Sequence, residues 1–165
     1  MHTKNYRQAI IENCDRDVYW RKEMNDPFDL QRFIEAQNSI YNEVLKELEQ
    51  GRKKSHWMWY VFPQIQGLGR TAMAQRYAIN SREEAIAYVR HALLGERLTE
   101  CTQLVIDAKG RTAKQIFGHP DVLKFRSSMT LFSHVEKSSQ IFDDALSKYY
   151  EGKPDKRTLD ILKDS

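Results

Sequence analysis

The chain has 165 residues, of which 41% are hydrophobic and 30% charged, and its net charge is +3 with a pI near 8.8. This length can bury a core without disulfides, and this balance excludes a disordered chain. The basic excess is too mild to point to nucleic acid by itself. No run of about 18 apolar residues is present and residues 1–25 lack the apolar stretch of a signal peptide, so no membrane span and a cytoplasmic location are expected.

Residues 1–25 form a polar extension whose apolar residues, Ala9, Ile10, Ile11, Val18, Tyr19 and Trp20, fit a helix only loosely. The extension reads either as a short helix on the main body or as a projecting arm. Asn25-Asp26-Pro27 marks a boundary, because the residue before proline avoids helical geometry. Asp29 is then expected to cap a helix. Leu30, Phe33, Ile34, Ile40, Tyr41, Val44, Leu45 and Leu48 recur at steps of three and four, which predicts one amphipathic helix over 30–48 ended by Gly51. Its other face, with Gln31, Arg32, Glu35, Glu43, Lys46 and Glu47, reads as solvated. Ser55 is expected to cap a short helix to about Phe62, where Pro63 stops it. Residues 71–77 read as another short helix. Ser81, with Glu83 and Glu84 in the first turn, starts one that runs to about Arg90.

After His91, the spacing of Leu93, Leu94, Leu98, Cys101, Leu104, Val105 and Ala108 predicts a longer helix stopped by Gly110. Thr112 caps a short turn through Ile116 and Phe117. Gly118-His119-Pro120 breaks the chain again. A helix over 121–135 follows, with Val122, Leu123, Phe125, Met129, Leu131 and Phe132 inward. Ser138 or Ser139 starts the next, closed by Gly152 and Pro154, and 155–162 gives the last. No period-two segment is convincing. The pattern predicts an all-α, single-domain orthogonal bundle of six to eight helices of unequal length. Residues 1–25 would be its N-terminal extension and 151–165 its tail helix.

Residues 51–69 stand apart from this pattern. Three basic residues lead through His56 into Trp57, Trp59, Tyr60 and Phe62, and Pro63, Gly67 and Gly69 close the run. A solvated loop would not hold so much aromatic mass, and a buried strand would not end in His56, Gln64 and Gln66. An aromatic plug in a helical core with a polar rim is expected.

Several runs are similar to a known family: Phe28-Asp29-Leu30-Gln31-Arg32-Phe33-Ile34-Glu35-Ala36-Gln37, Gly51-Arg52-Lys53-Lys54-Ser55-His56-Trp57-Met58-Trp59, Phe62-Pro63-Gln64, Gly67-Leu68-Gly69, Tyr77-Ala78-Ile79, Leu94-Gly95-Glu96-Arg97-Leu98, Ile116-Phe117-Gly118, and Lys124-Phe125-Arg126-Ser127-Ser128-Met129-Thr130-Leu131-Phe132. Together they resemble the domain-of-unknown-function family numbered 1810, over roughly residues 28–150. The resemblance implies a small, mostly bacterial, helical domain without an established reaction. The calpastatin-like label sometimes attached to that family has no support in these residues. A remoter similarity is to the NADAR group, helical enzymes acting on N-glycosidic bonds of ADP-ribose-type compounds.

Core packing is the first reading of Trp57, Trp59, Tyr60 and Phe62, and a stacking surface for a flat ring is the second. His56 could move protons near neutral pH, and Arg52 could grip phosphate through its fork. Gln64, Gln66 and the Gly67-Leu68-Gly69 loop could supply donors, although neither GxGxxG nor GxxxxGK[ST] is present. Lys124, Arg126, Ser127, Ser128 and Thr130 place hydroxyls inside a helix, which suits a tight helix crossing or a polar pocket. Glu35 is the first candidate acid among scattered carboxylates. Two functional expectations follow. One is a site for a nucleotide or ADP-ribose-like molecule formed by Arg52, His56, Trp57, Trp59, Gln64, Lys124 and Ser127, with Glu35 or His56 as acid–base if a reaction occurs. The other is a non-enzymatic protein- or RNA-interaction module in which the run is mainly core. His2, His56, His91, His119 and His134 are scattered and Cys14 and Cys101 match no metal spacing, so no metal and no cofactor are expected. Reduced thiols are the expectation for the cysteines, with a disulfide left open, and the oligomeric state is not read.

Overall fold

The structure, a computed structural model, describes residues 25–165. The readings made for residues 1–24, including Cys14 and the apolar residues of the extension, lie outside the described residues. By internal contacts the chain divides into Met1–Gln31 and Arg32–Ser165.

In the first unit, Asp26 and not Asp29 supplies the capping carboxylate. Its two oxygens accept the backbone N–H groups of Leu30 at 2.8 Å and Gln31 at 2.9 Å. Asp29 has φ 51°, a left-handed conformation foreign to an N-cap.

Ten helices follow one another among the described residues. They are α1 (Gln31–Asn38), α2 (Tyr41–Glu49), α3 (Met58–Val61), α4 (Ala72–Arg76), α5 (Arg82–Arg90), α6 (Ala92–Asp107), α7 (Ala113–Phe117), α8 (Asp121–Val135), α9 (Ile141–Tyr150) and α10 (Lys156–Asp164). No sheet forms among the described residues; one parallel bridge pairs Ile65 with Ile79. The all-α bundle of unequal helices is therefore observed, with ten helices in place of six to eight. One of the additional elements arises because the segment 30–48 is not one helix. At its middle, Ser39 Oγ bonds back to Ala36 O, and Ile40 N reaches only Gln37 O, so the chain turns between α1 and α2. Short polar side chains offer the backbone this alternative to a helix.

Several starts fall where capping chemistry puts them. Thr71, Ser81 and Thr112 each accept an N–H of the first turn, and Gln115 completes a capping box with Thr112. Asp155 caps α10 in the same way, and the His91 ring accepts from Leu93 N and Leu94 N to cap α6. Ser55, Ser138 and Ser139 are not the caps expected. Ser55 and Ser138 instead bond carboxylates, Glu47 and Glu136.

Two helices organise Arg32–Ser165. α6 packs against α2, α3, α5 and α9; α8 packs against α5, α7, α9 and α10. The core between them is aromatic: Phe62 meets Phe125 edge-on at 4.9 Å, Phe117 stacks on Phe125 at 4.7 Å, and Phe33 meets Tyr88 edge-on at 5.0 Å. Where α5 passes into α6, a Cβ on Gly95 would stand 2.0 Å from Val89 O, so only glycine permits the approach. Leu123, expected inward, is 52% exposed. Cys101 is a buried free thiol, and burial pushes its pKa up to about 12, so it stays protonated. No helix among the described residues is long and apolar enough to cross a membrane.

Candidate functional site

The run 51–69 enters the core held at three points. The first is Glu47, read from the sequence as solvated but only 2% exposed. Its carboxylate accepts Lys54 N at 2.7 Å, Ser55 N at 3.0 Å, Ser55 Oγ, and Trp57 Nε1 at 2.8 Å. Burial pushes its pKa up, but these hydrogen bonds outweigh burial and hold it below the ordinary value. The second point is the carbonyl of Tyr60, at the end of the run's only helical turn. It accepts Gln37 Nε2 at 2.7 Å and Tyr88 Oη at 3.3 Å, while Arg97 holds Gln37 Oε1 at 3.3 Å. The third is the bridge, where Gln66 N donates to Ile79 O at 2.8 Å and Ile79 N donates to Gln64 O at 2.9 Å.

These anchors decide what each aromatic ring can do. Trp57 is 0% exposed, lies on Phe62, and spends its N–H on Glu47, so it is core and offers no face to a ligand. Met58, Val61 and Phe62 are buried with it. The helical turn packs on α6, and Phe62 on α7 and α8. Trp59 differs because it is only partly buried. The ammonium of Lys124 stands over its ring at 5.1 Å from the centroid. Trp59 also lines a cavity of about 20 Å³ with Gln64, Gln66, Gly67, Gly69 and Tyr77. That space admits a water molecule and no ring.

Lys124 belongs to a small ionic group. Its Nζ is 3.3 Å from Asp121 Oδ1, and the other oxygen of Asp121 pairs with Lys53 Nζ at 2.8 Å. Lys53 is nearly enclosed, with a side chain 7% exposed; it also donates to Ser55 O at 2.7 Å and stands 5.1 Å over Trp57. Two ammonium groups therefore share one carboxylate across the two tryptophans. Lys124 is 24% exposed and keeps donor capacity toward solvent.

Of the residues proposed from the sequence, Trp59, Gln64 and Lys124 are brought together. His56 is exposed beside them in the chain, and its ring makes no hydrogen bond among the described residues. Arg52 is exposed on the linker from α2 to α3, and Glu35 is exposed on α1. Ser127 is not free for a ligand. It is buried, donates to Leu123 O at 3.1 Å and to Asp155 Oδ2 at 3.1 Å, and Thr130 Oγ1 accepts Asp155 N at 2.8 Å. Its hydroxyl and that of Thr130 serve a helix crossing, the point where α8 meets the start of α10. Ser128 Oγ is buried without a hydrogen-bond partner among the described residues. No group of three or more His, Cys, Asp or Glu among the described residues is arranged to hold a metal ion.

Sequence reasoning missed Glu47, Glu84 and Gln37, and a signal for them existed. Glu47 lies three residues after Val44, on the stripe that buries Val44 and Leu48. Gln37 is four residues after Phe33, and Glu84 is four before Tyr88. A polar residue on an apolar stripe is a buried polar group, and such groups need partners. Glu84 finds Arg32 at 2.6 Å and Asn80 N at 2.8 Å.

A search among proteins of curated function found no match. A solved structure, that of the conserved hypothetical protein Rv1873 from Mycobacterium tuberculosis, is similar at 54% identity and a TM-score of 0.83. The similarity covers 84% of this chain and 99% of that one. Residues 27–162 match the family described as protein of unknown function DUF1810, and the chain belongs to that family.

Proposed function

We propose that the protein binds a small anionic molecule carrying a flat ring, of the nucleotide or ADP-ribose class, across the exposed side of Trp59. The observation that carries this reading is the pairing of a partly exposed indole with a partly exposed ammonium, Trp59 with Lys124, next to the Gln64 amide. An indole face attracts a base, an ammonium attracts phosphate, and an amide can read a polar ring edge. The neighbouring cavity holds at most a water, so the ligand would lie on an open surface with the water as a bridge. Binding there is expected to be modest, because an open site removes less ligand surface from water than an enclosed one. The reading is one of binding. No reaction is assigned.

The test is calorimetric titration with AMP, NAD and ADP-ribose, with Trp59→Ala and Lys124→Gln as the probes. Stacking of one base is worth about 1–3 kcal/mol, so Trp59→Ala should weaken binding roughly 5- to 150-fold. Absence of heat with all three compounds, or equal affinity in Trp59→Ala, sinks the reading.

A further inference from the structure

A larger charged surface lies beside this site. The segments 51–56 and 109–124 hold seven of the chain's 26 Lys and Arg residues but one of its 23 Asp and Glu residues, Asp121. Together they carry a net +6, while the chain as a whole is +3, so the remainder is net negative. The fold joins these two segments side by side. Lys53 N donates to Ile116 O at 2.7 Å, Lys53 Nζ pairs with Asp121 at 2.8 Å, and a Cβ on Gly51 would stand 3.4 Å from Arg111 Nε.

Among the described residues two of the seven cations, Lys53 and Lys124, have an ion-pair partner, and both share the single carboxylate of Asp121. The other five, Arg52, Lys54, Lys109, Arg111 and Lys114, are exposed and form no ion pair among the described residues. His56 and His119 are exposed in the same segments. Five like charges held together repel one another, a cost that an anionic partner removes.

We infer that this face is a docking surface for the phosphate backbone of a single-stranded nucleic acid. The strand is favoured over a duplex because the surface is bordered, through Lys124, by the partly exposed ring of Trp59, on which an unpaired base can stack. A lipid surface is disfavoured because membrane binding by a basic face needs apolar side chains to insert, and Leu123 is the one large exposed apolar residue in these segments. The basic face stands on Arg52, Lys54, Lys109, Arg111 and Lys114, and the preference for a single strand rests on the Trp59 ring that it shares with the small-molecule site.

Fluorescence anisotropy with a labelled 16-nucleotide RNA of mixed sequence, at 50 and 200 mM KCl, tests it. Neutralising phosphates of a single strand gives about −0.7 per contact in the slope of log affinity against log salt. Wild-type protein should bind with a slope of roughly −3, as four or five contacts require. Arg111→Gln with Lys114→Gln should weaken binding to every sequence alike and make the slope shallower by about 1.4, twice the single-contact value. Both residues are exposed, so the double variant should keep its thermal midpoint. Lys137→Gln, just beyond the opposite end of α8, should change nothing. The inference is overturned by no binding at 50 mM, by an unchanged slope in the double variant, by tighter binding to duplex, or by binding to phosphatidylserine vesicles and not to RNA.

Discussion

Trp57 and Trp59 stand two positions apart in one run, yet the fold uses them in opposite ways. Trp57 is sealed, and its indole N–H ends on a carboxylate that receives three further hydrogen bonds. Trp59 is left partly in solvent under a lysine that shares its counter-ion with another lysine. The first arrangement fixes the backbone; the second leaves a polarisable ring and a charge that can meet something else. The difference shows that an anchor and a candidate site can sit on one helical turn and the residue that precedes it, because successive side chains leave the chain in different directions.

Breaking the anchored side should cost most. Trp57→Ala removes a fully buried indole and one of the four donors that bond Glu47, and should destabilise the protein by about 3–5 kcal/mol in urea unfolding, or prevent its folding. Trp59→Ala, by contrast, should shift stability by no more than about 1 kcal/mol while abolishing most ligand binding. Equal losses of stability in the two variants would erase the distinction drawn between the rings.

Glu47→Ala should come next, at about 1–3 kcal/mol, because it strands two backbone N–H groups and the Trp57 N–H without an acceptor. Its titration sharpens the point. The folded-state pKa of Glu47 is lowered below the ordinary value of 4.5, so the folded state holds fewer protons than the unfolded state. The stabilisation is complete above about pH 4.5 and is lost as pH falls through the lower folded-state value. Glu47→Gln should therefore be less stable at neutral pH and lose less stability on acidification than wild type, as read by unfolding midpoints from pH 7 to pH 2. Identical acid limbs would show that Glu47 is not the group involved.

Asp121→Asn removes the charge that Lys53 and Lys124 share and should cost about 1 kcal/mol, since both lysines keep some contact with water or a carbonyl. The same variant should bind anionic ligands more tightly, because two ammonium groups lose their internal competitor. The smallest effect belongs to His56→Ala, whose exposed ring should leave stability within about 0.5 kcal/mol.

Much of the helical order was legible. Ser81, Thr112 and Asp155 announce helix starts through local chemistry, because a cap needs only its own side chain and an N–H two or three residues on. The break between α1 and α2 was less legible, because Leu30 to Leu48 keep helical spacing across a turn that only the packed structure imposes. The site was legible in part. Aromatic and basic density located residues 51–69, but it could not rank Trp57 against Trp59. Composition assigned both rings the same prior, and burial then separated them.

The sequence by itself determined an all-helical chain, the position of most helix boundaries and the run that carries the candidate site. These are local properties, set by periodicity, caps and breakers within a few residues. Tertiary structure alone decided that Glu47 is buried, that Lys53 and Lys124 meet at Asp121, and that segments 51–56 and 109–124 lie side by side. Those pairings join Lys53 to residues more than sixty positions away. Their energy depends on distance and on exclusion of water, neither of which a linear pattern encodes.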